Sequence, residues 1–226
     1  MNIRKIKKIV SVLLVFALVC LTALFTLASC EEKTGGDTGK TDANGGENGE
    51  NGEDAGPQPQ SFLKEAATGQ RNNYGGSVGY EFECLADMTV SAVGRPLNGE
   101  MNQSHTIRIW EVESQALLAS ATVTPESPLD SLGFKTAQLA TPITLKAGTV
   151  YRIVSAEEKD GDMWYDFGTK ADEFPDLKPG GDCRIITPAF SAEGAEGQAE
   201  YPAFEYLPEG AVNKGYVGVT FYYVLN

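Results

Sequence analysis

The chain has 226 residues, 42% of them apolar, and a formal net charge of −13. Its first 29 residues hold four of the 18 Lys and Arg and no Asp or Glu, so from Cys30 onward 14 basic residues face 31 acidic ones, a net of −17. That balance argues against a nucleic-acid binder, which needs clustered Lys and Arg against phosphate. It suits a soluble acidic surface and leaves room for Ca²⁺ association.

Residues 1–8 are basic, residues 9–26 are uncharged and predominantly apolar, and Leu27-Ala28-Ser29-Cys30 comes next. A basic, then apolar, then small-residue order is that of a secretory signal peptide. The tetrad resembles a bacterial lipobox, which implies a diacylglyceryl group on Cys30 after removal of residues 1–29. An uncleaved transmembrane anchor is the alternative, because the apolar run nearly suffices to span a bilayer. Both readings place residues 31–226 outside the cytoplasm, held at the cell membrane. Residues 31–60 contain eight Gly, eight acidic residues and only Ala43 and Ala55 as apolar ones. Such a stretch buries too little surface to offset its ordering entropy, so residues 30–60 read as a flexible acidic tether. Residues 61–226 then form one domain, about 165 residues, enough for a single core.

Within that domain, residues 62–67 suit a single helical turn, and 78–84 and 88–94 open a β-fold. Residues 104–156 carry four or five further strands. In residues 106–112, Ile107 and Ile109 alternate with Thr106, Arg108 and Trp110, the period of a half-buried strand with Arg108 turned to solvent. Residues 117–123 come after a hairpin-length break. Pro125 and Pro128 interrupt pairing because they lack a backbone N–H. Segments 134–139, 142–145 and 149–156 complete the run. Strands are also expected at 183–186, 200–206 and 216–224, the last with Val217, Val219, Phe221 and Tyr223 on one face. Regular strand spacing without helical periodicity predicts an all-β, jelly-roll-like antiparallel β-sandwich.

The strings Ala92-Val93-Gly94, SHTIRIWE at 104–111, LLASATV at 117–123 and GFKTAQLATPITLKAGTVYRI at 133–153, with a closing aromatic strand, resemble domain-of-unknown-function family 4082. The resemblance spans about residues 78–223 and is best between 90 and 156. It implies a bacterial extracytoplasmic β-sandwich module of the kind found beside surface or glycan-acting domains. It implies no established activity and brings no catalytic residues.

The chemistry-bearing residues are few. His105 is the only histidine and shares parity with Ile107 and Ile109, so it reads as a hydrogen-bonded residue inside the sandwich. No G-x-S-x-G context supports a relay, and one His with two further Cys falls short of a zinc site. Cys84 and Cys183 lie in predicted strands. They form either a disulfide, in a compartment where disulfides persist, or two buried thiols. Residues 157–182 combine nine acidic residues with Trp164, Tyr165, Phe167 and Phe174. Asp160, Asp162 and Asp166, spaced i, i+2 and i+6 around Gly161, are candidate Ca²⁺ ligands; a solvated acidic loop is the alternative. Trp164, Tyr165 and Phe167 are candidate stacking platforms for a sugar ring, with Asp166 accepting its hydroxyls, unless these aromatics fold back as a lid.

Together these features predict a cell-envelope lipoprotein displaying a non-catalytic binding module, with extracellular carbohydrate the leading ligand. The alternative is a structural or adhesive module that contacts another envelope protein.

Overall fold

The structure, a computed structural model, describes residues 56–166, 176–194, 199–205 and 212–226. Cys30, the signal segment, tether residues up to 55, Phe167 and Phe174 lie outside the described residues. Twelve strands run in order: β1 (Gln60–Ser61), β2 (Gly76–Cys84), β3 (Met88–Pro96), β4 (His105–Glu111), β5 (Leu117–Val123), β6 (Phe134–Leu145), β7 (Val150–Glu157), β8 (Tyr165–Asp166), β9 (Cys183–Phe190), β10 (Phe204–Glu205), β11 (Tyr216–Val217) and β12 (Thr220–Leu225). All pairings are antiparallel. One sheet runs β1-β12-β3-β6, the other β10-β9-β2-β7-β4-β5, and β11-β8 forms a small third ribbon. Successive strands cross between the two large sheets, from β2 to β3 to β4 and from β5 to β6 to β7, which is the jelly-roll-like sandwich expected from the strand spacing.

Aromatic rings fill the space between the sheets. Phe221 of β12 stacks on Phe62 at 4.9 Å and meets Phe82 of β2 at 5.1 Å, and Phe82 meets Tyr151 of β7 at 5.7 Å. Large rings bury about 150–250 Å² each, so this ladder dominates the apolar contribution to the core. The hydroxyl of fully buried Tyr80 donates to the carbonyl of Val219. Thr220, buried on β12, satisfies Ser61 Oγ at 2.9 Å and the N–H of Leu63 at 3.0 Å.

Three expectations change. Residues 62–67 form no helical turn: Phe62 and Leu63 are fully buried, and the chain bends on either side of an isolated bridge from Leu63 to Pro179. Core burial of two successive residues in an edge segment outweighs local propensity. Segments 134–139 and 142–145 are a single strand, β6, whose pairing to β3 jumps from Gln138↔Ala92 to Ile143↔Val90. The extra residues bulge at the sheet edge, where the missing N–H of Pro142 is tolerated. Finally, β4 is covered on both faces. Arg108 and Trp110 are only 8% and 5% exposed, and Tyr201 of the segment 199–205 lies edge-on to Trp110 at 5.8 Å. Arg152 of β7 pins that segment, donating to Glu81, to the Pro202 carbonyl and to Glu205, with its guanidinium 5.1 Å from the Tyr201 ring. Of residues 200–206, only Phe204–Glu205 pairs as a strand among the described residues.

The aromatic ladder sets a stability test. Phe221→Ala should lower the unfolding free energy by about 3–5 kcal/mol, whereas Leu225→Ala, at a residue 46% exposed on the same strand, should cost no more than about 0.5 kcal/mol. Urea unfolding of the two variants measures the difference; equal midpoints would contradict the packing.

Candidate functional site

The connection from β7 to β8 carries most of the candidate site residues, and two anchors hold it. The first is a buried charged quartet. Arg95, near the end of β3 in the four-stranded sheet, grips Glu157, ending β7 in the other, through Nε–Oε1 at 3.0 Å and Nη2–Oε2 at 2.9 Å. His105, the first residue of β4, sets Nδ1 3.1 Å from Glu157 Oε2 and 3.2 Å from the Ala156 carbonyl, and Nε2 2.9 Å from Asp162 Oδ2. Arg95, Glu157 and His105 are at most 1% exposed and Asp162 is 7% exposed. Both imidazole nitrogens face only acceptors, so both must carry a proton, and the ring is an imidazolium. The quartet is then electrically neutral, as a buried cluster needs to be.

Burial opposes the charge on His105, as does nearby Arg95. The hydrogen bond His105 makes to Glu157 and the charge of that carboxylate, with a second hydrogen bond donated to Asp162, outweigh both and raise its pKa above the ordinary 6.5. Burial would likewise raise Glu157 and Asp162, but Arg95 and His105 hold Glu157 below its usual value. His105 and the backbone N–H groups of Asn102 and Gln103 hold Asp162 below its own. Ser155 donates to Glu157 at 2.6 Å rather than to the imidazole.

The second anchor is aromatic. Arg71 and Trp164 exchange backbone hydrogen bonds at 3.2 and 2.9 Å. The Arg71 guanidinium lies 4.9 Å from the Trp164 ring, 5.7 Å from Tyr216 and 5.8 Å from Tyr74, and donates to Asp166 at 2.7 Å. Arg71, Tyr74, Val78, Trp164, Phe190 and Tyr216 line a cleft of about 130 Å³. A larger polar cleft, about 440 Å³, lies on the neighbouring stretch of chain and includes Glu65, Gln70, Asn98, Asp176 and Lys178. Tyr216 precedes Val217, whose φ of 61° with a Gly218 N–H to Tyr216 carbonyl bond of 2.6 Å makes a γ-turn. A β-branched residue in that conformation is strained and persists only where its surroundings impose it.

The expected residues are therefore distributed differently from their spacing. Trp164 and Tyr165 sit in the core, 1% and 0% exposed, and the Trp164 face foreseen as a sugar platform is covered by Arg71. Asp166 is paired with Arg71. The three candidate Ca²⁺ ligands do not converge, which corrects that expectation. Asp162 is consumed by His105, Asn102 and Gln103, Asp166 by Arg71, and Asp160 is exposed in a turn at φ 63°. Among the described residues no group of three His, Cys, Asp or Glu could hold a metal. Cys84 and Cys183 are buried free thiols on directly paired residues, with sulfurs 3.7 Å apart. Sequence reading missed Arg71, Tyr74, Arg95 and Glu157. A lone Arg at the end of an apolar strand was the available signal for Arg95.

Residues 64–177 match the model of a family described as a domain of unknown function, DUF4082. The chain belongs to this family. The DUF4082 match ends before β9, so β9, β10, β11 and β12 complete the sandwich beyond it. No curated protein matches the chain.

The geometry of the DUF4082 domain sets two tests. A raised His105 pKa contributes stability that is complete below pH 6.5 and is lost as pH rises through the folded value; the depressed Glu157 and Asp162 contribute stability that is lost as pH falls below their ordinary 4.5 and 3.8. Thermal midpoints should therefore decline above pH 6.5 in the wild type, and that alkaline decline should vanish in His105→Asn; a parallel decline in both would sink the assignment. For the cysteines, the Cys84 N–H and carbonyl both bond toward 148–149. Cys84 and Cys183 thus form a non-hydrogen-bonded cross-strand pair, the closer kind. Oxidation with diamide should remove two hydrogens from the intact mass and raise stability by up to about 4–5 kcal/mol, the entropy of a 99-residue loop; persistence of two alkylatable thiols after denaturation would refute the bridge.

Proposed function

We propose that this chain is a bacterial cell-envelope lipoprotein, anchored through Cys30, whose sandwich domain binds extracellular carbohydrate without catalysing a reaction. The observation that carries the reading is the cleft bounded by Tyr74, Trp164, Phe190 and Tyr216. Half-buried Tyr74, Phe190 and Tyr216 offer ring surface to the C–H face of a sugar. The Arg71–Asp166 pair supplies donors and acceptors at the rim, and the Trp164 indole N–H, buried with no partner, is a donor left for a ligand oxygen. The neighbouring cleft, with Glu65, Gln70, Asn98 and Lys178, suits further hydroxyls of an oligosaccharide. A binding role fits the state of His105, whose two nitrogens are both engaged and neither of them by a nucleophile. Phe204, 50% exposed and stacked on Phe190, is the feature that favours the rival reading, a contact with another envelope protein.

A glycan array probed with the full chain tests the proposal. Retention of at least one neutral glycan is expected, reduced by up to roughly tenfold in Tyr74→Ala and Tyr216→Ala, since a stacked aromatic contributes on the order of 0.5–1.5 kcal/mol. Trp164→Ala should instead lower stability by roughly 3–5 kcal/mol. A blank array with a folded chain would turn the reading toward the adhesive module.

A further inference from the structure

The outer face of the six-stranded sheet holds an arginine that nothing described neutralises. Arg108 is 8% exposed, and its Nη1 is buried with no hydrogen-bond partner. It forms no ion pair with any described residue. Trp110, two residues along β4 and 5% exposed, likewise buries its indole N–H without a partner. The strand's alternation puts Ile107 and Ile109 in the core, so Arg108 and Trp110 share the opposite face, about 6–7 Å apart along the strand. The carboxylates described on that face are spoken for: Glu81 and Glu205 both receive Arg152, whose residue pairs directly with Trp110, and Glu83 receives Arg184. Burial alone pushes the Arg108 pKa down, though guanidinium stays charged.

An ordinary surface arginine lays its stem on apolar groups and keeps its head in water. Here the head is sealed on one side, and a buried charge without a counter-charge is among the costliest arrangements in a protein. Two donors on one face, both lacking acceptors, define a place for an acceptor-only group. We infer that Arg108 and Trp110 form a binding site for an oxyanion, a carboxylate or sulfate, reached through the narrow opening that leaves Arg108 partly exposed. The guanidinium fork donates to two oxygens of such a group. The Trp110 N–H supplies a third hydrogen bond, and Tyr201, edge-on to Trp110 at 5.8 Å, closes the apolar side. The net acidity of the chain does not preclude this, because charges beyond about 8 Å are screened at physiological salt. The site shares no residue with the aromatic cleft and does not depend on the carbohydrate reading.

The test titrates the full chain at constant ionic strength with sodium glucuronate, sodium sulfate, sodium phosphate and neutral methyl glucoside. Thermal midpoint and the two tryptophan indole N–H resonances are the readouts, with Trp110→Phe assigning the signals. At least one anion should raise the midpoint and move the Trp110 resonance, and methyl glucoside should do neither. A response to glucuronate alone identifies an acidic sugar; an equal response to sulfate or phosphate identifies the free inorganic anion. Arg108→Met should weaken anion binding at least about tenfold and raise the midpoint of the unliganded chain, because an uncompensated charge is removed. Arg108→Lys, which keeps the charge and loses the fork, should retain only part of the affinity. No anion-dependent shift in the wild type, or an undiminished shift in Arg108→Met, overturns the site whatever the array shows for neutral glycans.

Discussion

The ion pair between Arg95 and Glu157 is the constraint on which the rest of the molecule turns. It joins the last residue but one of β3 to the last residue of β7, and so links the two sheets at one end of the sandwich. Both partners are essentially without solvent. A buried pair of this kind is not by itself a large source of stability, because desolvation offsets most of its Coulombic attraction. Its consequence is specificity: any shift that separates the partners leaves a bare charge in the interior. The register of β3 against β7 is thereby fixed through side chains, across a gap that no backbone hydrogen bond spans.

From that pair, order passes outward. His105 extends the network from Glu157 to Asp162, and Asp162 takes the N–H groups of Asn102 and Gln103. The loop before β4 and the loop after β7 are thus held to one another. Beyond Asp162 the chain reaches Trp164, where backbone bonds to Arg71 and the guanidinium over the indole take over. The aromatic cleft is built on a loop immobilised at both ends, which is how a rigid scaffold positions a loop for binding. The strained γ-turn at Val217 beside Tyr216 fits the same picture, since local strain survives only where surrounding contacts over-determine it.

The two faces of the six-stranded sheet obey different rules. The inner face is aromatic and aliphatic, with the Tyr80 hydroxyl paired across the sandwich. The outer face is polar, yet it is covered by residues 199–205, pinned by Arg152. Covering a polar face forces each charge on it to find a partner. Arg152 has three, whereas Arg108 has none among the described residues. That asymmetry, rather than any sequence motif, distinguishes Arg108 from its neighbours.

What the sequence determined by itself is local. Alternation in 106–112, proline positions and turn residues sufficed for most strands and for an all-β sandwich, because strand pattern and turn chemistry are properties of adjacent residues. The strand expected over 216–224 is instead broken by the turn at Val217 into β11, paired with β8, and β12, paired with β3. It also showed that His105 belonged to the inward parity of β4. The site was decided only by tertiary structure. Asp160, Asp162 and Asp166 look like one cluster in the chain, but the loop after β7 directs them to solvent, to His105 and to Arg71, since proximity in sequence says nothing about where a carboxylate finds its counter-charge. Arg95 and Glu157 are 62 positions apart and Arg71 and Asp166 are 95 apart; no period or spacing connects such pairs. Arg108 read as solvent-facing because alternation distinguishes two faces of a strand without revealing that the second is also buried in the fold.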